Sequence, residues 1–145
     1  MLLASEGRPF SADALAAARA LAAVHGPRVH VLITTRIWGT GLGLPHPGLL
    51  PNKKEMGAAR DLVDAAIRDL EKHGLEAEGQ VIGTRRPAKV IVREAQRLEV
   101  DAIVMGADPK KRLGDWRWSN EPYRVAARAP VPVCLVKPNA VRSPR

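Results

Sequence analysis

Cysteine is almost missing from this chain. Cys134 is the one thiol in 145 residues, so no disulfide framework can form within the chain and a packed core must hold the fold. Cys134 lies in an apolar, β-branched run, where a buried inert thiol is expected rather than a nucleophile. Aromatics are scarce too: three tryptophans, one tyrosine and one phenylalanine. That excludes the aromatic–basic platform on which sheet-based RNA readers stack bases. No apolar run approaches the ~20 residues that a membrane-spanning helix needs. The opening Met1-Leu2-Leu3-Ala4-Ser5-Glu6-Gly7 has neither a basic n-region nor a signal h-region, and a cytoplasmic protein is expected.

Catalytic signatures are absent as well. His25, His30, His46 and His73 are scattered without metal-ligand spacing, and no His-Glu-x-x-His helix is present. There is no Gly-x-Ser-x-Gly elbow and no Walker loop. Gly39-Thr40-Gly41-Leu42-Gly43 imitates a dinucleotide fingerprint but fails on context, because Pro45 and Pro47 follow and no helix starts there. The leucines of that stretch, Trp38 to Pro51, suit a loop folded over the domain or against a neighbour.

What is present is positive charge: 23 Lys+Arg against 15 Asp+Glu, a net +8. The cations are dispersed from Arg8 to Arg145, which reads as a solvated basic surface; nucleic acid is not the expected partner. Hydrophobic periodicity supplies the fold. Residues 1–4 form a first strand. Ser11 precedes a helical pattern through Ala14, Leu15, Ala18, Leu21 and Ala22, ended by Gly26-Pro27. Val29–Ile33 is a second strand, and Lys54–His73 an amphipathic helix capped by Gly74. Leu75–Ile82 is a third strand ended by Gly83, and Pro87 opens a helix through Leu98. Ala102–Met105 is the fourth strand, a short helix runs from Glu121 toward Pro130, and Val131–Val136 is the fifth strand. This alternation predicts a single α/β domain: a doubly wound five-stranded parallel sheet with helices on both faces. With the first strand central, a crevice opens between the carboxyl ends of strands one and four.

Around that crevice, Glu6 offers a carboxylate to an adenine amino group or a ribose hydroxyl. Gly106 lets backbone approach a ligand closely. Pro109 deletes an N–H that a phosphate loop would use. Ser119 or Asn120 suits an N-cap, while Glu121 places an anion at that helix end and Pro122 removes another donor, both opposing phosphate. Lys110, Lys111, Arg112 and Arg117 supply loop cations, and Trp116 and Trp118 suit packing of that loop on a partner chain or cover for a base.

Three segments together resemble the universal stress protein family over residues 1–138, leaving 139–145 as a tail: Leu2 to Ser11, Asp101-Ala102-Ile103-Val104-Met105-Gly106, and Arg128-Ala129-Pro130-Val131-Pro132-Val133-Cys134-Leu135-Val136. The resemblance implies the adenine-nucleotide α-hydrolase-like fold, a role in stress response, and a homodimer paired through the last strand, with Val131, Val133 and Leu135 at the seam. ATP-binding members carry Gly-x2-Gly-x9-Gly-Ser/Thr after strand four. Here Gly106 keeps the first glycine, Pro109 replaces the second, Ser119 the third, and Asn120 stands at the Ser/Thr position. Glu6 stands at the adenine-contacting aspartate, one methylene longer, and Thr34 at a position lining the adenine pocket. The implied cofactor site is Ala4, Glu6, Thr34, Met105, Gly106, Lys110, Ser119 and Asn120, for ATP with magnesium if the altered motif still binds it. These departures predict weak or absent ATP binding, at most slow ATP hydrolysis, and a dimeric regulatory module. The alternatives are an adenine-nucleotide switch using the basic loop, an enzyme cleaving at a nucleotide's α-phosphate, and a charge-driven polyanion binder.

Overall fold

The computed structural model describes residues 1–37, 53–107 and 120–137. Along these segments run β1 (Leu2–Glu6), α1 (Ala12–His25), β2 (Arg28–Arg36), α2 (Lys53–Lys72), β3 (Glu76–Thr84), α3 (Pro87–Arg97), β4 (Ile103–Gly106), α4 (Glu121–Arg128) and β5 (Val133–Val136). All pairings are parallel, in the order β3-β2-β1-β4-β5. The two edge directions diverge from β1, which is central, as the apolar run at the start of the chain requires of a strand buried on both sides.

Successive strand residues point to opposite faces, and the core divides accordingly. Leu3, Val31, Ile33 and Val104 pack with Ala18 and Ala22 of α1 and Ala59, Val63, Ala66 and Leu70 of α2. Leu2, Ala4, Leu32, Ile103 and Met105 pack with Ala88, Ile91 and Ala95 of α3 and Val125 of α4. Each fully buried Leu, Ile or Val contributes about 1.5–3 kcal/mol, and Leu2, Leu3, Ile103 and Val104 are wholly inaccessible. The small residues Ala14, Ala18 and Ala22 repeat at i, i+4 along the buried stripe of α1, which lets that helix lie close to the sheet. Ser11 caps it as the sequence implies, its hydroxyl accepting from Ala14 N–H at 3.0 Å.

Boundaries differ from the sequence reading where a cap or a proline intervenes. β1 runs on to Glu6 and β2 to Arg36, because Ser5, Thr34 and Thr35 continue the ladder as polar residues inside buried strands. Leu75 belongs to the end of α2 rather than to β3: its N–H donates to Leu70 O at 3.1 Å, and Gly74, at φ 82°, donates to Glu71 O at 3.0 Å. This is a Schellman cap. Gly83 does not end β3, which pairs with β2 through Thr84. β5 starts at Val133, since Pro132 has no N–H to give and takes part only through its carbonyl, which accepts from Ile103 at 3.0 Å.

Candidate functional site

The carboxyl ends of β1 and β4 flank the point where strand order reverses, and a crevice of about 150 Å³ opens there. Its walls follow from local chain geometry. β1 ends at Glu6, and Gly7 takes φ 61°, a left-handed turn that glycine adopts without steric cost. The turn is fastened by Ser5 Oγ, which donates to Arg8 O at 2.8 Å. The chain then crosses the crevice through Pro9 and Phe10 and enters α1 at Ser11 and Ala14, all of which line it. The opposite wall is Met105, Gly106 and Ala107, held against β5 by a 2.8 Å hydrogen bond from Ala107 N–H to Val136 O. Among the described residues nothing lies within 4 Å of where a Gly106 Cβ would stand, so the backbone is open to the crevice there. Pro122 of α4 completes the lining.

The amino end of α4 faces this space with reduced donor power. Pro122 lacks an N–H, and Asn120, its N-cap, makes no side-chain capping bond. The carboxylate expected to oppose phosphate there is turned elsewhere, which corrects the sequence reading. Glu121 is buried, its Oε2 accepting from Ala88 N–H at 2.9 Å and its Oε1 from Arg124 at 3.1 Å. It thereby serves the first turn of α3, whose own N-cap, Arg86, supplies no side-chain bond. Among the described lining residues, the charge comes from Glu6 and Arg8.

Of the residues singled out from sequence, Glu6, Met105 and Gly106 meet in the crevice lining. Ala4 lies beneath it, fully buried and in register with Met105. Thr34 is one strand away, in register with Glu6; it is 2 % exposed, does not line the crevice, and its hydroxyl has no hydrogen-bond partner among the described residues. Asn120 is exposed at the start of α4. Lys110 and Ser119 lie outside the described residues, as do the other loop cations, Pro109, the Trp116–Trp118 pair and the Trp38–Pro51 stretch. Sequence reasoning missed Phe10 and Ala14. The available signal was positional: a chain leaving the central strand through a glycine turn must pass over that strand's carboxyl end before its helix begins.

The three histidines among the described residues are engaged locally and do not line the crevice. His25 meets Asp101 at 2.9 Å and His30 meets Glu78 at 2.8 Å. His73 Nδ1 lies 2.7 Å from the Asp69 carbonyl. The hydrogen bond with His25 holds the Asp101 carboxyl below its ordinary range. No cluster of three metal-ligating side chains exists among the described residues. Among those residues no helix is long and apolar enough to cross a membrane.

The Universal stress protein family model matches residues 1–137. The chain belongs to the universal stress protein family. A universal stress protein of Thermus aquaticus is 28% identical over 137 residues, covering 94% of this chain and 97% of that one. The fold is shared with the universal stress protein of Archaeoglobus fulgidus in complex with dAMP, at TM-score 0.68 and 23% identity over 94% of this chain and 95% of that one. It is also shared with an Arabidopsis thaliana member of the family with AMP bound, at TM-score 0.61 and 14% identity over 99% and 95% of the two chains.

Proposed function

We propose that this universal stress protein is a dimeric regulatory module of stress response whose crevice takes the nucleoside end of an adenine nucleotide and holds ATP weakly or not at all. The observation that carries the reading is the crevice at the β1/β4 switch point, lined by Glu6 and Gly106 but served by a helix end that presents Pro122. An acidic side chain and an open glycine suit a base and ribose. The loss of N–H groups at Pro122, and at Pro109 in the sequence, removes donors that a triphosphate needs. Support for an adenine ligand comes from the relatives that hold dAMP and AMP. Each donor lost to a phosphate weakens binding, and ~1.4 kcal/mol is tenfold in affinity.

Isothermal titration with AMP, and with ATP plus magnesium, tests this. ATP binding weaker than about 10 μM is expected, with an adenosine-dependent heat that Glu6→Lys removes. Tighter ATP binding overturns the reading. It would favour the second one, a nucleotide switch in which Lys110, Lys111, Arg112 and Arg117 replace the lost backbone contacts; alanine at those four positions would then abolish the ATP signal.

The dimer belongs to the same proposal. β5 is an edge strand, paired to β4 on one side. Val131, Val133 and Leu135 are half-buried beside the α3/α4 core. An apolar edge of this kind calls for a cover or a partner, and the second copy's β5 is the proposed one.

A further inference from the structure

The carboxylate of Glu121 stands in the floor of a second hollow, on the far side of the first turn of α4 from the crevice. This cleft, about 260 Å³, is lined by Arg85, Arg86, Lys89, Arg124 and Arg128 together with Ala88 and Glu121. All five cations are exposed, and Glu121 is the one carboxylate among the described lining residues. The lining therefore carries five positive charges against one negative.

Such a gathering is electrostatically unfavourable without a counter-charge. The amino end of a helix carries partial positive charge and favours anions. Yet α3 has no acidic residue in its first turn, where Lys89 lies, and Arg85 and Arg86 immediately precede the helix. On α4, Arg124 and Arg128 stand four residues apart, a spacing that puts like charges on one face and destabilises the helix. Glu121 is already committed to Ala88 N–H at 2.9 Å and Arg124 at 3.1 Å. It offsets Arg124 and leaves the lining with a surplus of four positive charges among the described residues.

We propose that this cleft is a second ligand site, which takes a compact oligophosphate anion. Four of the five cations are arginines, whose planar forks bind phosphate oxygens in pairs. They converge on one hollow rather than following a groove, and no aromatic side chain is among its described lining residues, unlike the tracked, base-stacking channels of single-strand binders. An oligophosphate brings several charges into that volume, whereas an acidic peptide brings one per side chain. The site is separate from the crevice: Pro122 lines one and Glu121 and Arg124 the other.

The test is amide chemical-shift mapping of the full chain titrated with inorganic tripolyphosphate. Saturable shifts at Arg85–Lys89 and Arg124–Arg128 are expected. The triple variant Arg85→Ala/Lys89→Ala/Arg128→Ala should weaken binding by about tenfold or more, while melting no lower than the parent because repulsion has been relieved. Arg60→Ala/Arg68→Ala/Lys72→Ala, which removes the same charge from exposed positions of α2, should leave binding unchanged. ATP and adenosine titrations separate the sources of the anion. Cleft shifts reproduced by ATP but not by adenosine assign a nucleotide's phosphate tail, and shifts seen with tripolyphosphate alone assign an inorganic chain. Absence of binding, shifts confined to Glu6–Arg8 and Gly106, or equal weakening in the α2 control would each overturn the proposal.

Discussion

Two backbone positions show how a single residue sets local stability. α3 ends in the same cap geometry as α2: Glu99 N–H donates to Gln96 O and Val100 N–H to Ala95 O, both at 3.1 Å. The left-handed position is filled by Gly74 after α2 but by Glu99, at φ 51°, after α3. A side chain in that conformation costs about 1 kcal/mol that glycine avoids. Glu99→Gly should therefore raise stability by roughly that amount in urea unfolding, since Glu99 is exposed and its replacement opens no cavity. Gly79 is the opposite case. A Cβ there would stand 2.4 Å from Val63 Cγ1 and 3.0 Å from the Val31 carbonyl oxygen. Gly79→Ala should destabilise by about 1–3 kcal/mol through overpacking. Adding Val63→Ala should recover part of the loss, because the carbonyl contact remains. At this scale the sequence was legible where chemistry is local, as at Ser11 and Gly74. The left-handed Glu99 was not legible, because a glutamate gives no sign of that φ. Gly79 was equally hidden, because the glycine matters only through how closely α2 approaches.

At the scale of elements, α3 and α4 are joined by a cap that crosses between them. The Ala88 N–H is buried and its partner is Glu121. Glu121→Ala should cost about 1–3 kcal/mol by leaving that donor unpaired, whereas Glu121→Gln, which keeps an acceptor, should cost less; thermal melts of the two variants compare them. From sequence alone Glu121 read as the anion of its own helix, since position along a helix is all that a sequence reports. The site divided in the same way. Glu6 and Gly106 were readable because each directly ends a strand of the sheet's centre. Phe10 and Ala14 were not, because their part depends on how α1 lies over those strands. Thr34 read as following the second strand, which ended at Ile33 in that reading; it lies inside β2, in register with Glu6. Its isolated hydroxyl, buried without a partner among the described residues, is a tertiary fact.

Over the whole molecule, the tie between α3 and the β3 edge should govern acid stability. Glu94 is buried; it accepts from Arg97 at 2.7 and 2.9 Å and from Gln80 of β3 at 2.9 Å. The hydrogen bond from Arg97 foremost, against an opposing effect of burial, holds its pKa below the ordinary 4.5. A carboxyl depressed in the folded state contributes stability that is complete above the unfolded pKa and is lost as pH falls through the folded one. The parent should thus lose stability below about pH 4.5, more steeply than Glu94→Gln, in urea midpoints measured from pH 6 downward. Equal slopes for the two proteins would remove Glu94 from the account.

The sequence by itself determined the α/β alternation, the family and, once β1 is central, the end of the sheet at which the crevice opens. It did so because hydrophobic period, glycine turns and short parallel crossovers leave few other arrangements. Only the tertiary structure decided which way Glu121 faces, which residues after Gly7 wall the crevice, and that five cations, from the turn before α3 and from α3 and α4 themselves, gather in one cleft. Those outcomes depend on contacts between segments far apart in the chain, and no local pattern of residue types encodes the direction in which a packed side chain points.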